Sequence, residues 1–266
     1  MNDHCQSMEY LWEYSWVWLF ILSIFLPPLA SSAELTSKEV VQKSMNLDQG
    51  RSVSAKTRIQ VFENGEKTRD REMLYRRKWI DGLEHVVVNF NSPADIKGLA
   101  LLIANQKNGD SDQHLYTPSF RRIRRIRGSL KSQEFADTDF SYEDMERRDV
   151  NDSDHELETH EQVGDRPCYK IVSTTKKKVR SQYGKVIAWI DEETFLLRKM
   201  EVYGWDGKLL KTLKSVKSDL VSGVWTQLEL QMENHSKNRK TNYRVSEIEY
   251  DKNLDDHIFT TNSLGQ

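Results

Sequence analysis

The sequence of 266 residues contains 39 Lys and Arg against 41 Asp and Glu, so its formal net charge is −2 at pH 7. Nucleic-acid-binding domains usually have an overall basic excess as well as a basic stripe, so this balance excludes nucleic acid as the expected partner. Residues 34–266 are numerous enough for one large β domain with a substantial core.

The N-terminus contains a nearly unbroken apolar run at residues 15–30, SWVWLFILSIFLPPLA, followed by Ser31-Ser32-Ala33. This pattern predicts a signal peptide over residues 1–33 that is removed on export. The run is shorter than the roughly 20 apolar residues of a spanning helix, which makes an uncleaved anchor the less favoured alternative. The segment before the run is acidic, whereas signal peptides normally begin with basic residues. We therefore expect residues 34–266 to be a single exported domain, and a monomer.

The first elements of that domain are a helix and a β-hairpin. Thr36-Ser37-Lys38-Glu39 matches a capping box and predicts a helix from Ser37 to Leu47. Apolar and polar residues then alternate from Val53 to Val61, which predicts a strand, and Asn64-Gly65 is a strong hairpin turn signal. The return strand runs from Met73 to Trp79.

The rest of the domain is predicted to be mostly an antiparallel meander. A third strand covers His85 to Phe90, and Leu99 to Ala104 is apolar on both faces, as in a strand buried on both sides. Turn signals about 8 to 12 residues apart separate the later strands, as in a sandwich or barrel. Those strands are Cys168–Thr174, Lys185–Ile190, Leu196–Tyr203, Lys208–Leu213, Trp225–Met232 and Thr241–Tyr250. A second short helix is predicted around 142–145.

Residues 116–131, YTPSFRRIRRIRGSLK, contain six cationic side chains. As a helix, the segment would be cationic and amphipathic, of the kind that lies on membrane surfaces. As a hairpin, His114–Thr117 would be one strand and Arg122–Arg127 the other. The hairpin is favoured because it continues the meander and because β-branched Ile123 and Ile126 suit a strand.

The sequence contains little that indicates catalysis. His155 and His160 are five residues apart, so they do not share the helix face that a zinc-binding HExxH motif requires. Cys168 lies in a predicted strand and is expected to be a buried apolar residue rather than a nucleophile. We found no Gly-rich phosphate loop, Gly-x-Ser-x-Gly elbow or Cys-x-x-Cys pair. We therefore predict a protein that is not an enzyme and has no metal or cofactor.

Aromatic residues occur in nearly every predicted strand. This distribution is usual for a packed β core, but it also suits a curled sheet whose concave apolar face binds ligands. Composition alone does not separate these two alternatives.

Several segments, in order along the chain, carry a resemblance to a known family. They are PADIKGLALL at 93–102, QHLYTP at 113–118 followed by Arg121–Ile126, DFSYED at 139–144, YGKVIAWID at 183–191, EVYGWDGKLLK at 201–211, MEN at 232–234 and FTTNSL at 259–264. Together they resemble the bacterial outer-membrane lipoprotein-sorting-like proteins, relatives of the LolA and LolB carriers. Ala136-Asp137 stand where that family more often has a glycine-containing turn.

The resemblance implies a mainly β fold with a few helices, in which an incomplete antiparallel β-barrel wraps over a helical lid. It also implies a periplasmic carrier for lipids or lipoprotein acyl chains, acting in lipoprotein sorting or lipid transport, with an inner-membrane exporter as a further partner. The alternatives are a non-enzymatic accessory or adaptor subunit of an envelope exporter, with a filled core, and, least favoured, an envelope enzyme acting on lipids.

These expectations give two sets of candidate residues and a candidate lid. The candidates for the lipid cavity are Trp79, Val88, Leu101, Ile103, Tyr116, Ile123, Phe140, Tyr142 and Trp189. The candidates for contact with a lipid head group or membrane are Arg122, Arg124, Arg125 and Arg127, for which the alternative is a solvated strand face. The N-terminal helix and the segment around Tyr142 are the predicted lid.

Overall fold

The computed structural model describes residues 34–106 and 111–266, and their strands form one antiparallel sheet of thirteen strands. The strands are β1 (Ser52–Glu63), β2 (Glu66–Ile80), β3 (Leu83–Ser92), β4 (Ala100–Asn105), β5 (Ser111–Thr117), β6 (Arg122–Ile126), β7 (Ser153–Val163), β8 (Arg166–Thr175), β9 (Tyr183–Asp191), β10 (Leu197–Gly204), β11 (Leu209–Val221), β12 (Val224–Asn234) and β13 (Arg239–Tyr250). The described part of the chain also contains the helix α1 (Ser37–Met45) and six short 3-10 helices.

The strand order across the sheet is β6-β5-β4-β3-β2-β1-β13-β12-β11-β10-β9-β8-β7. Nearly all neighbours are consecutive along the chain and form hairpins, and the exception is the pair of β1 with β13 in the middle of the sheet. The sheet does not close, because β6 and β7 form its two outer edges. The predicted mainly β fold with an incomplete antiparallel barrel is therefore confirmed.

The first hairpin shows how the sequence determines this local structure. Asn64 and Gly65 have φ angles of 52° and 88°, the left-handed values that a tight two-residue turn requires and that Asn and Gly adopt most easily. The alternating residues of β1 then place Ile59 and Val61 on one face, where they pack against Met73 of β2. This face is the concave side of the sheet.

Strand β4 is buried on both faces, as its apolar sequence predicts. Leu101 and Ile103 face the concave core. Ala100 and Leu102 face the opposite side, where the C-terminal residues Leu254, Phe259 and Leu264 cover them. The C-terminal segment lies so close that a Cβ atom on Gly265 would be 2.3 Å from the ring of Tyr116.

The two edge strands are joined by residues 127–152, which we call the strap. Three of the 3-10 helices lie in it, at Gly128–Ser132, Glu143–Met145 and Val150–Asp152. Phe135 and Tyr142 of the strap pack into the concave core beside Phe90, with ring centroids 5.6 Å apart in each successive pair. The short helix predicted around Tyr142 is therefore present, as a 3-10 turn.

Helix α1 covers the other end of the concave side. Thr36 caps it in the predicted capping box: the Glu39 amide donates to Thr36 Oγ1 at 3.3 Å, and the Thr36 amide donates to Glu39 Oε2 at 2.8 Å. The helix ends at Met45, two residues before the predicted end. Val40 is buried against Ile171 and Ile190 of strands β8 and β9.

The basic run forms the favoured hairpin, with β5 and β6 paired and Pro118–Phe120 as a 3-10 turn between them. The predicted signal peptide, residues 1–33, lies outside the described residues. Within the described ranges, no helix is long and apolar enough to cross a membrane.

Candidate functional site

A cavity of about 1940 Å³ lies between the concave side of the sheet, α1 and the strap. Strands β2 and β3 line one wall, and β8, β9 and β10 line the opposite wall. Its size exceeds the 300–1,000 Å³ that is usual for small-molecule sites, so there is room for a large or elongated ligand.

Apolar side chains come from both walls and from α1 and the strap, which together we call the cover. They include Val41 and Met45 of α1, Tyr75 and Trp79 of β2, Val86 of β3, Ile126 of β6, Met145 and Val150 of the strap, Val186, Ala188 and Ile190 of β9, and Leu197 and Met200 of β10. They reach the same space because alternate residues of each strand point to the concave face.

Trp79 connects three elements at the edge of this cavity. Trp79 is 38% exposed, although it lines the cavity. The guanidinium of Arg147 lies 5.6 Å from the ring centroid, within the range of a cation–π contact. Arg147 also donates to Oδ1 of Asn46, the C-cap residue of α1. Arg147 of the strap therefore contacts both the Trp79 ring and the C-terminal end of α1.

The strap is attached to the sheet through a buried carboxylate, Asp144. Lys211 Nζ of β11 and the Tyr183 hydroxyl of β9 each donate to it at 2.7 Å. The backbone amide of Ser141 donates to it at 2.7 Å as well. Burial alone would raise the pKa of Asp144, but Lys211 and the hydrogen bonds outweigh it and keep that pKa below its ordinary value.

A second attachment lies at β13. Arg239 donates to Asp139 Oδ1 at 2.7 Å and to Glu134 Oε1 at 2.6 Å. Thr241 donates its hydroxyl to Asp139 Oδ2 at 2.6 Å. Asp139 is fully buried, and such a charge is stable only when it is paired and hydrogen-bonded.

A third attachment joins the strap to β5. Glu146 accepts from Gln113 Nε2 at 2.8 Å and pairs with Lys131 at 2.7 Å. The same Gln113 amide donates to the backbone carbonyl of Tyr142 at 3.0 Å. Asp137 of the strap also pairs with Arg71 of β2 at 3.4 Å, so several separate polar contacts hold the strap, whereas α1 buries only Val40 fully.

The cavity lining holds charged residues of both signs. Several carboxylates are paired, Glu84 with Arg77, Asp112 with Arg125 and Glu146 with Lys131, whereas Asp48, Asp149 and Asp152 form no ion pair with another described residue. Three further basic residues that line the cavity are exposed, and none of their side chains has a hydrogen bond or ion pair with another described residue. They are Arg127, Lys178 and Arg180.

The structure distributes the nine candidates for the lipid cavity over three places. Trp79 lines the cavity. Five others belong to the core beneath the strap or to the strap itself: Val88, Leu101, Ile103, Tyr142 and Phe140. The remaining three lie on the convex side: Tyr116 beside the C-terminal segment, Ile123 on the exposed hairpin, and Trp189 between Lys170 and Lys199.

The four candidate arginines also separate. Arg125 and Arg127 line the cavity, and Arg125 pairs with Asp112. Arg124 forms a hydrogen bond with the Tyr142 side chain. Arg122 is exposed on β6, near the turn of the hairpin.

The sequence did not predict the roles of Arg147, of Lys211, or of the β9 and β10 residues on the cavity wall. Arg147 belongs to a run of charged residues that indicates only a solvated loop. Lys211 is separated from Asp144 by 67 residues, and nothing local in the sequence connects the two. The alternation in β9 and β10 indicates two faces without showing which is concave.

The possible reactive groups lie apart from each other. His155 is in β7 rather than a helix, and its ring nitrogens contact Ser173 Oγ at 2.7 Å and the Val150 carbonyl at 2.8 Å. Burial raises the pKa of the Cys168 thiol to about 11. Among the residues that the structure describes, no cluster of His, Cys, Asp and Glu could hold a metal ion.

Comparison with known proteins agrees with the fold. A family model described as "Uncharacterized protein" matches residues 82–266. No curated protein matches the chain. A crystal structure of a DUF1329 family protein from Desulfovibrio piger is similar at 26% identity, with a TM-score of 0.82, and the match covers 86% of this chain and 97% of that one.

Two further structures share the fold. One is a domain from Vibrio parahaemolyticus assigned as an outer membrane lipoprotein-sorting protein, with 24% identity, a TM-score of 0.80 and coverage of 86% of this chain and 98% of that one. The other is a LolA superfamily protein from Nitrosomonas europaea, with 20% identity, a TM-score of 0.66 and coverage of 87% and 100%. These two matches show that the overall fold of the chain is shared with both structures.

Proposed function

Because the chain belongs to the family of uncharacterized proteins whose model matches residues 82–266, and has the LolA-like fold, we propose that it is a carrier for lipids or lipoprotein acyl chains. The single observation that carries this proposal is the cavity of about 1940 Å³ with apolar side chains on both walls. An adaptor subunit with a filled core would not need such a space.

The energetics of an acyl chain suit the cavity. Burying each methylene group contributes about 0.8 kcal/mol, so a chain of ordinary length gains roughly 10 kcal/mol before the costs of ordering reduce it. Val186, Ala188 and Met200 provide one apolar wall for that chain, and Tyr75 and Val86 provide the other.

The polar part of the cargo would lie beside the basic lining residues that have no ion pair. Arg127, Lys178 and Arg180 supply positive charge there without carboxylate partners among the described residues. A phosphate or carboxylate head group would complete their interactions, because charge-assisted hydrogen bonds to such groups are the strong ones.

Release of the cargo requires part of the cover to move. The strap has several polar attachments to the sheet, two of which include buried carboxylates, whereas α1 is held chiefly by Val40 and by polar contacts at its ends. The segments that open most easily are those with few buried contacts. We therefore assign the moving part of the lid to α1 and the fixed part to the strap.

The proposed place of action is the periplasm, between an inner-membrane exporter that supplies the lipid and an acceptor in the outer membrane. This placement rests on the predicted signal peptide and on the fold shared with the lipoprotein-sorting domain. Detection of the processed protein in a periplasmic fraction tests it independently of lipid binding.

Native mass spectrometry of the purified protein tests the carrier function. We expect lipid adducts, and uptake of a fluorescent fatty acid by protein from which lipid has been removed. Met200→Lys puts a charge on the apolar wall and should reduce that uptake at least about tenfold. Thr174→Lys is the matched control, because it adds the same side chain at an exposed position of β8 outside the cavity lining.

A clean apo mass together with no fatty-acid uptake by the wild type would exclude the carrier function and favour the adaptor. Hydrolysis of phospholipid by the freshly purified protein would instead revive an enzymatic role.

A further inference from the structure

The turn between β5 and β6 exposes an apolar side chain beside basic residues. Phe120 is 79% exposed, the highest value for a large apolar side chain among the described residues. Ile123 on the same hairpin is 39% exposed. The adjacent Arg121 and Arg122 are exposed too. We call residues 118–123 the hairpin tip.

The hairpin tip is held in a defined conformation. Pro118–Phe120 form a 3-10 turn, and the amide of Arg121 donates to the Pro118 carbonyl at 3.1 Å. Pro118 also packs against the β3–β4 turn, where a Cβ atom on Gly98 would lie 3.6 Å from Pro118 Cβ. Phe120 is therefore presented to solvent by a supported turn.

The cations of the hairpin tip have no counter-charge of their own. The side chains of Arg121, Arg122 and the neighbouring Lys97 form no hydrogen bond or ion pair within residues 34–106 and 111–266. Further along β6 the situation differs, because Arg125 pairs with Asp112 and Arg124 bonds to Tyr142. Asp95, in the β3–β4 turn, is exposed and forms no ion pair with these three cations.

We propose that the hairpin tip docks the protein on the surface of an anionic phospholipid bilayer. An exposed aromatic ring inserts at the boundary between head groups and acyl chains, while cations beside it attract the anionic lipids. Phe120 and Ile123 supply the apolar part, and Arg121, Arg122 and Lys97 the charge. This surface is separate from the cavity, whose lining excludes all five residues.

Co-sedimentation with phospholipid vesicles tests the docking. Wild type and variants are all purified with the same N-terminus, so that any effect of residues 1–33 on binding is common to all of them. We expect binding to vesicles of phosphatidylglycerol and phosphatidylcholine, weaker binding to pure phosphatidylcholine, and a decrease with salt. Arg121→Gln with Arg122→Gln should lower the partition coefficient about 30-fold at low salt. Phe120→Ser should lower it about tenfold.

The matched controls remove exposed cations or an exposed apolar side chain elsewhere on the surface. Lys177→Gln with Lys217→Gln removes two exposed cations, and Val216→Ser removes a side chain that is 60% exposed on β11. Both controls should bind vesicles as the wild type does. Equal binding by the tip variants and the wild type would overturn the proposal.

A photo-crosslinking residue at position 120 identifies the occupant in cells. Adducts with phospholipid support docking on a membrane, whereas adducts with a protein and none with lipid would overturn it. Fatty-acid uptake by the tip variants separates this surface from the carrier function: docking should be lost while uptake is retained.

Discussion

The ammonium group of Lys211 on β11 lies 2.7 Å from the carboxylate of Asp144 on the strap, and these side chains are only 9% and 6% exposed. The Tyr183 hydroxyl donates to the same carboxylate at 2.7 Å. This relationship joins the middle of the sheet to the segment that connects its two edges.

Removing Lys211 should release the strap. Lys211→Met leaves the Asp144 charge buried without its cation, and we expect a loss of about 3 kcal/mol in the free energy of unfolding, measured by urea denaturation. Adding Asp144→Leu should recover part of that loss, because the unpaired charge is then gone. Lys208→Met, which breaks a highly exposed pair with Asp206, should have no measurable effect. Equal losses in the single and double variants would contradict this account.

Stability should fall in acid, in part through Asp191. Burial raises the pKa of this carboxyl, but Arg166, Arg198 and the Thr194 amide outweigh it and hold the pKa well below its ordinary value of about 4. A carboxyl with a depressed folded-state pKa contributes stability above its unfolded pKa, and that contribution is lost as pH falls through the folded value.

We therefore expect Asp191→Asn to lower the free energy of unfolding by about 2 kcal/mol at pH 7. Between pH 5 and pH 3 the variant should lose less additional stability than the wild type, in urea titrations at each pH. Parallel pH profiles for the two proteins would show that Asp191 does not carry this effect.

The helix cap should control how readily the lid opens. Thr36→Ala removes the side-chain acceptor for the Glu39 amide, and such a change costs about 1 kcal/mol of helix stability. Amide exchange in α1 should become about fivefold faster, and exchange of a bound fluorescent fatty acid should accelerate with it. Strap amides should keep their protection, and faster exchange there as well would refute the division into a fixed and a moving part.

The Cys168 thiol should be unreactive in the native protein. It is completely buried, and burial raises its pKa to about 11, so the thiolate is scarce at pH 8. Peptide mapping after treatment with a maleimide should show no label at Cys168 without denaturant and full label in 6 M guanidinium. Rapid native labelling would place the residue at an accessible site.

Much of this fold could be predicted because alternation of apolar residues is a local property. The hairpin at Asn64-Gly65, the doubly buried β4 and the basic hairpin all follow from short stretches of sequence. The pairing of β1 with β13 could not be predicted, because alternation indicates which residues share a face but not which strands are neighbours. Strand β7 is absent from the predicted strands, because Leu157 is one of its few apolar residues.

The cavity was harder to predict than the fold. Trp79 and Trp189 are both aromatic residues in strands, yet Trp79 lines the cavity and Trp189 packs between two lysines on the convex side. The difference depends on the curvature of the sheet, which arises from all thirteen strands together. The candidate arginines for contact with a head group also lie in different places. Arg122 is exposed near the turn of the hairpin, whereas Arg127 lines the cavity.

The position of β1 beside β13 has a consequence for folding. Strands β1–β6 and β7–β13 are two meanders whose internal pairings all join consecutive strands, so each can form from local contacts. The pairing of β1 with β13, the attachments of the strap, the packing of α1 on β8 and β9 and the packing of the C-terminal segment on β4 require distant parts of the chain to meet. From one edge of the sheet to the other, the strands run from β7 to β13 and then from β1 to β6. A circular permutant with β13 linked to β1 and new ends in the strap would therefore be a continuous meander.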